Sequence, residues 1–328
     1  MKPILISGIQ PSGKLHLGNY LGALQNFVKL QNSGDYDCYF FIADYHSLTE
    51  EFVPSEKRAQ IHELAADFLA IGLDPKKSTI FLQSDVPATT ELAWIHACSA
   101  PFGELRRMTQ FKDKSEDNPK NINVGLFTYP ILMAADILLY DASFVPVGFD
   151  QLQHLELTRT LARKFNSTYG VTFVEPKPLL TEAPRLASLD APEKKMSKSH
   201  PDGCIFLDDA PSVIELKIKI AVTDSGNTIK FDLEKKPGIS NMLGIMAALS
   251  GKSIAELEEA FQGQNYSEFK HALADCVADH FKSFREKKEE LLKKPTALSK
   301  VLTAGKKKAE KIAQEKIAVV KERIGLTS

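Results

Sequence analysis

Ile4-Leu5-Ile6-Ser7-Gly8-Ile9-Gln10-Pro11-Ser12-Gly13-Lys14-Leu15-His16-Leu17-Gly18-Asn19 opens the chain and decides its fold. Residues 4–7 are a short apolar strand. Gln10-Pro11-Ser12-Gly13 supplies a turn. Leu17, Leu21, Leu24 and Val28 then recur at helical spacing and predict a helix over 17–31. A strand, a small-residue turn and a helix N-terminus let backbone amides approach a phosphate, with the helix dipole favouring the negative charge. Gly18 leaves room for a flat ring or a ribose, and His16 and Asn19 flank it as hydrogen-bond donors. The run is neither Gly-x-Gly-x-x-Gly nor a Walker loop, which disfavours a dinucleotide. Taken alone, it is also a glycine-rich turn beside an incidental histidine, and a lone histidine is more often structural.

The alternation continues downstream. Residues 38–43 are an unbroken apolar run, as expected of a central parallel strand. Pro54 opens a helix that Gly72 stops. Thr79-Ile80-Phe81-Leu82 is a third strand, and Pro87 opens another helix. Val145-Pro146-Val147-Gly148 is a fourth strand, before a helix over 151–166. This pattern predicts an α/β fold with a doubly wound parallel sheet. After residue 205 the periodicity turns helical, over 211–223, 253–262, 265–290 and 296–325, with Pro237-Gly238 and Gly263 as punctuation. The expected division is 1–204, an all-helical 205–295, and a final helix in 296–328 free to pack back on the first domain.

A length of 328 residues suits about two domains of roughly 150. Apolar residues at 43% and charged ones at 25% fit a soluble globular protein. No apolar run approaches the length of a membrane span, and the N-terminus has too short an apolar stretch for a signal peptide. Cys38, Cys98, Cys204 and Cys276 lie far apart, without Cys-x-x-Cys. That spacing argues against a zinc site or a disulfide framework and for a reducing cytoplasm. Net charge is −1 but unevenly spread: residues 281–328 hold 14 Lys+Arg and 6 Asp+Glu, a net of +8, which leaves −9 on the rest. A basic tail on an acidic body suits a phosphate backbone as partner; a solvated helix face is the other reading.

Two further segments carry chemistry. Lys194-Lys195-Met196-Ser197-Lys198-Ser199 lies between Pro192 and Pro201-Asp202-Gly203. It reads as a mobile cationic loop, or as a plain solvated one. When a carboxylate attacks the α-phosphorus of ATP, charge builds on the departing pyrophosphate. Lys195 and Lys198 would lower the barrier by meeting that charge in the transition state, and loop closure would deliver them after substrate binds. The second segment runs from Phe127 to Tyr140. Pro130 is expected to start a helix on which Tyr129, Met133 and Asp136 share a face. A carboxylate in so apolar a helix needs a partner. By itself Asp136 could be a satisfied structural residue.

Together, Gly8–Asn19 and 195–199 resemble the paired signatures of the class I aminoacyl-tRNA synthetases, a His-x-Gly-His/Asn motif and a Lys-Met-Ser-Lys-Ser loop. The chain is most similar to the bacterial tryptophanyl members, from Gly8 to about residue 261. The resemblance implies a Rossmann-like catalytic domain, ATP as substrate with its Mg²⁺, L-tryptophan, tRNA(Trp), an anticodon-reading helical domain, a homodimer and no membrane. His16, Asn19, Lys195, Lys198 and Lys114 match the residues that act on the triphosphate. Gln10, Pro11, Ser12, Gly18, Asn19, Gly148, Phe149, Asp150, Leu186 and residues Lys195, Met196, Ser197, Lys198 and Ser199 match ATP-contacting positions. Asp136 matches the acceptor of the indole N–H, with Met133, Tyr129, His46, Gln151 and Gln110 shaping the rest of the tryptophan site. Phe149 stands where the family has Glu, Tyr45 where Gln is usual, and His16 where many tryptophanyl members have Thr. A tyrosyl enzyme, a smaller nucleotidyltransferase and a non-charging regulatory paralogue share parts of this pattern. No side-chain metal cage is expected.

Overall fold

The computed structural model describes residues 2–109, 122–180, 186–198 and 200–326. The chain divides into two compact units, 1–13 with 27–181 and 294–328, and 14–26 with 182–293.

Among the described residues of the first unit, five parallel strands form one sheet: β1 (Ile4–Ile9), β2 (Asp37–Ile42), β3 (Ser78–Leu82), β4 (Phe144–Val147) and β5 (Lys177–Leu180). Their order is β3-β2-β1-β4-β5. The direction of winding reverses between β1 and β4, and sheets of this kind bind ligands beyond the carboxyl ends of the strands at that point. β5 was not expected. It contains Pro178, which counts against a strand in the sequence, but it pairs only with β4 and so needs no donor on its outer edge. Around the sheet pack the helices Pro54–Ala70, Ala88–Ala97, Val124–Leu138 and Leu152–Tyr169. The expected helix start at Pro130 is corrected. Helix Val124–Leu138 begins six residues earlier, because Asn123 caps it by accepting from the N–H of Leu126 at 2.9 Å.

The 29-residue helix Pro295–Arg323 also belongs to this unit and covers the free edge at β3. Its small residues Gly305, Ala309 and Ala313 are buried, and a Cβ on Gly305 would lie 1.8 Å from the Ile80 carbonyl oxygen. Only glycine permits that approach. Four of the helix's eight cations reach acids of the same unit: Lys306 to Asp85 at 3.6 Å, Lys308 to Asp37 at 3.0 Å, Lys316 to Asp141 at 2.5 Å and Lys321 to Glu91 at 2.8 Å. Part of the basic tail thus offsets the acidic body, an internal use that neither reading of the charge asymmetry foresaw.

His96 sits in this core with no exposure, against the rings of Phe173 at 5.2 Å and Phe165 at 6.2 Å. Neither ring nitrogen has a hydrogen-bond partner among the described residues, and burial lowers its pKa from 6.5 to about 4. The unfolded chain therefore binds a proton below pH 6.5 that the folded chain refuses until near pH 4. Stability present above pH 6.5 is lost as the pH falls, by about 2 kcal/mol at pH 5. Urea unfolding of His96→Leu at pH 7 and pH 5 should show a pH-dependent loss smaller than the parent's by about that amount. An unchanged pH dependence would mean that His96 has its proton or a partner in the folded state.

The second unit is helical, with Pro211–Ile220, Pro237–Ser250, Ile254–Ala260, Tyr266–His280 and Lys282–Leu292. Pro237-Gly238, expected as a break, instead opens a helix with proline in its first turn. Gly238 lets that turn approach the Val222 carbonyl, which a Cβ would meet at 2.1 Å. The helix expected over 265–290 is two helices that meet at the buried Phe281. The boundary expected at 204/205 does not coincide with the edge of this unit. Leu17 N–H donates to Ile205 O at 2.9 Å, and Leu207 N–H to Leu15 O at 3.0 Å. This short antiparallel pairing makes the signature residues 14–26 part of the second unit.

Candidate active site

In the first unit, β1 runs into Gln10-Pro11-Ser12, where the N–H of Ser12 turns back to Gln10 O at 2.9 Å. Gly13 takes φ +97°, a left-handed conformation suited to glycine. At the ends of β2 and β3 the chain assembles a polar cluster around Asp136, which is 3% exposed. His46 Nε2 lies 2.8 Å from Asp136 Oδ2, and the Gln83 amide nitrogen donates to both carboxylate oxygens at 2.9 Å. Gln83 Oε1 in turn accepts the N–H groups of Tyr45 at 3.0 Å and His46 at 3.4 Å. Burial pushes the Asp136 carboxyl upward, and the His46 and Gln83 bonds oppose that. A carboxylate has about four lone-pair sites, so acceptor capacity remains for one more donor. Gln83 was missed in the sequence; only the fold brings it, just beyond β3 at the ligand-binding end of the sheet, against Asp136.

Tyr129 and Met133 are half-buried on the same helix, and Met133 packs against the sheet core. Tyr129 Oη is 2.8 Å from His154 Nε2, with the rings stacked at 5.3 Å. Burial, with the charge of Asp150, raises the Tyr129 phenol to about 12, so it keeps its proton. After β4, the Asp150 carboxylate curls over Gly148, where a Cβ would be 2.7 Å from Oδ1. Gln151 donates to Asp150 Oδ2 at 3.0 Å, and Phe149 points outward at 69% exposure. Gln153 fixes the preceding loop, accepting from Thr109 N–H at 3.0 Å and donating to Arg107 O at 3.1 Å. Gln110, Lys114 and Ser199 lie outside the described residues.

In the second unit, His16 Nδ1 accepts the N–H of Gly18 at 3.0 Å, and Asn19 Oδ1 accepts the N–H of His16 at 3.1 Å. A ring nitrogen that accepts a backbone N–H carries no proton, so neutral His16 holds its proton on Nε2 as a donor. Burial, then the charges of Lys198 and Lys195, lower its pKa to about 4. Near neutral pH this histidine is an uncharged donor beside two cations. Gly18 is needed because a Cβ there would strike the His16 ring at 2.8 Å, a reason besides the room for adenine or ribose expected from the sequence. Past Asn19 comes one π-helical turn, Tyr20–Leu24, a distortion frequent at functional sites.

The 195–199 segment leaves a short hairpin. Met196 N–H donates to Leu186 O at 3.0 Å, and Ser188 N–H to Lys194 O at 2.9 Å. Met196 and Leu186 are 2% and 4% exposed, so both side chains root the loop in the unit. Lys195 is exposed and Lys198 half-buried. Asn241 clamps the hairpin by binding Ala187 through its N–H at 2.9 Å and its carbonyl at 3.0 Å. No local pattern in the sequence marked this clamping contact. The arrangement offers cations and a neutral imidazole donor to phosphate oxygens.

Residues 1–282 match the family of tRNA synthetases class I (W and Y). The chain belongs to this family. It is 49% identical to the tryptophan–tRNA ligase of Caldanaerobacter subterraneus subsp. tengcongensis, over 98% of both chains. The crystal structure of tryptophanyl-tRNA synthetase from Mycoplasma pneumoniae superposes with a TM-score of 0.89 at 38% identity, covering 100% of this chain and 99% of that one. The Campylobacter jejuni enzyme, solved with ADP and tryptophan, gives a TM-score of 0.85 at 39% identity, over 98% of this chain and 99% of that one.

Proposed function

We infer that this chain is a tryptophan–tRNA ligase. The tryptophan carboxylate attacks the α-phosphorus of ATP, the bond to the β-phosphate oxygen breaks, and tryptophanyl-adenylate and pyrophosphate form. The 3′-terminal ribose hydroxyl of tRNA(Trp) then attacks the activated carbonyl and releases AMP. The observation that carries the amino-acid assignment is the buried Asp136, held by His46 and Gln83 with acceptor capacity to spare. Indole offers one polar group, an N–H donor, and Asp136 suits it; phenylalanine has nothing to give and leaves the acceptor unpaired.

His16 Nε2–H, Lys195 and Lys198 are assigned to the triphosphate, where they stabilise charge on the leaving pyrophosphate. Gln10, Pro11, Ser12, Gly18, Asn19, Gly148 and Asp150 are assigned to the rest of ATP, and Gln151 to the amino acid's ammonium group. The outward Phe149 and the buried Met196 and Leu186 side chains serve better as spacer and anchors, with contacts to ATP made through their backbone. Mg²⁺ arrives with ATP, held by phosphates and water; no three His, Cys, Asp or Glu side chains gather as a metal site among the described residues. The helices of 205–295 are assigned to the anticodon. A second copy of the chain is the remaining partner, and the exposed Trp94, Phe102 and Val124 offer it apolar surface. No helix among the described residues is long and apolar enough to cross a membrane. Four free thiols suit the cytoplasm.

Amino-acid-dependent ATP–pyrophosphate exchange tests this reading. Exchange with tryptophan alone is expected. Exchange with tyrosine would move the assignment to the sister enzyme, and no exchange with any amino acid would overturn it.

A further inference from the structure

Lys57 stands in the first turn of helix Pro54–Ala70, at the positive end of the helix dipole, where a cation is disfavoured. It is also half-buried, and that burial lowers its pKa, against the opposing charges of Glu50 and Asp44. Two unfavourable terms at one lysine call for a compensating role. Its Nζ donates to Ser47 Oγ at 3.0 Å and to the Pro11 carbonyl at 3.4 Å, with the Phe52 ring centroid 5.3 Å away.

Those partners lie in the segments that follow two adjacent strands, β1 and β2. Pro11 is in the turn after β1 that is assigned to ATP. Ser47 follows His46, which is assigned to the tryptophan pocket. Ser47 Oγ spends its own proton on Asp44 O at 2.6 Å, so it is free to accept from Lys57. Asp44 Oδ1 accepts Ser84 N–H at 3.0 Å, and the adjacent Gln83 binds the His46 N–H and Asp136. The side chain of Lys57 therefore closes a hydrogen-bonded line from the ATP turn to the Asp136 carboxylate, which is assigned to the indole. All of its members belong to the first unit.

We propose that Lys57 is a positioning residue that couples occupancy of the ATP turn to the shape of the tryptophan pocket. The proposal rests on the ligase reading above. When ATP orders residues 10–13, the Pro11 carbonyl fixes Nζ, Nζ fixes Ser47, and the His46 segment is held for the indole. The coupling is reciprocal, so tryptophan tightens ATP by the same factor.

The test is the tryptophan dissociation constant with and without α,β-methylene-ATP, which cannot form the adenylate. Radiolabelled tryptophan and equilibrium dialysis give it directly. The parent chain is expected to bind tryptophan about tenfold tighter when the analogue is present. Lys57→Met keeps an unbranched apolar stem of similar length and removes the donors and the charge near Phe52. It should reduce that ratio to within about twofold of unity while still binding each ligand alone. Lys57→Arg, which restores donors, should recover much of the ratio, a rescue that a purely structural lysine would not show. A ratio in Lys57→Met equal to the parent's would overturn the proposal, as would a parent chain with no coupling. A parent chain that binds the analogue but no tryptophan would overturn the ligase reading along with it.

Discussion

Asp136→Ala should raise the KM for tryptophan in pyrophosphate exchange by about 10- to 150-fold and leave the KM for ATP within about threefold. The range follows from the loss of one hydrogen bond to a charged acceptor, roughly 1.5–3 kcal/mol. In the parent, the indole N–H would meet a carboxylate already oriented by His46 Nε2 at 2.8 Å and Gln83 at 2.9 Å. In the variant, the indole N–H is buried without an acceptor, and Gln83 and His46 lose theirs. That second loss makes stability a necessary control, so thermal unfolding should accompany the kinetics. Gln83→Leu is the companion variant. It leaves the carboxylate in place but removes one of its two supports, and its effect on tryptophan should have the same sign and be smaller. If Asp136→Ala weakened ATP and tryptophan equally, the carboxylate would be a structural support and the assignment to indole would fail.

The difference between what the sequence revealed and what it hid follows the range of the interactions. The strand, turn and helix of residues 4–19 were legible because each piece is decided by its own neighbours: apolar run, proline and glycine, helical spacing. The same holds for the central β2, unbroken in its apolar residues. β5 was hidden because it is only four residues long, opens with Lys177-Pro178 and is held by pairing with β4 alone, a tertiary fact. Pro237 misled in the opposite sense, since proline either stops a helix or begins one, and the packing of Gly238 under Val222 selects the second. In the candidate site, the titratable and cationic residues stood out by type. Their supports did not. Gln83, Asn241 and Lys57 act through partners 53, 54 and 46 residues away in sequence, and no local pattern marks such a pairing. The charge asymmetry shows the same limit. Counting gave its size, but whether it faces a phosphate or an acidic neighbour depended on where helix Pro295–Arg323 came to lie.

The other large effect belongs to Lys198. Lys198→Ala should lower the rate of tryptophan-dependent exchange by about 10²- to 10³-fold, the cost of removing one well-placed donor to developing charge. Tryptophan binding should change by less than about threefold, because the ammonium is assigned to the pyrophosphate in the transition state and not to the amino acid. An independent reading comes from His16. The charge of Lys198 is one of the causes that hold the His16 pKa at about 4, second after burial. Removing it should let the His16 pKa rise while still leaving it below 6.5, since burial and Lys195 remain. Titration of the His16 ring by NMR measures this in the protein without ATP. The two readouts separate proximity from role. A rise in the His16 pKa with an unchanged exchange rate would place Lys198 beside the imidazole yet remove it from the chemistry. A large rate loss with an equal loss of tryptophan affinity would make it a structural residue of the hairpin. The expected pairing, a slower first step with tryptophan affinity nearly intact and a less depressed His16, is what a cation acting on the leaving group alone produces.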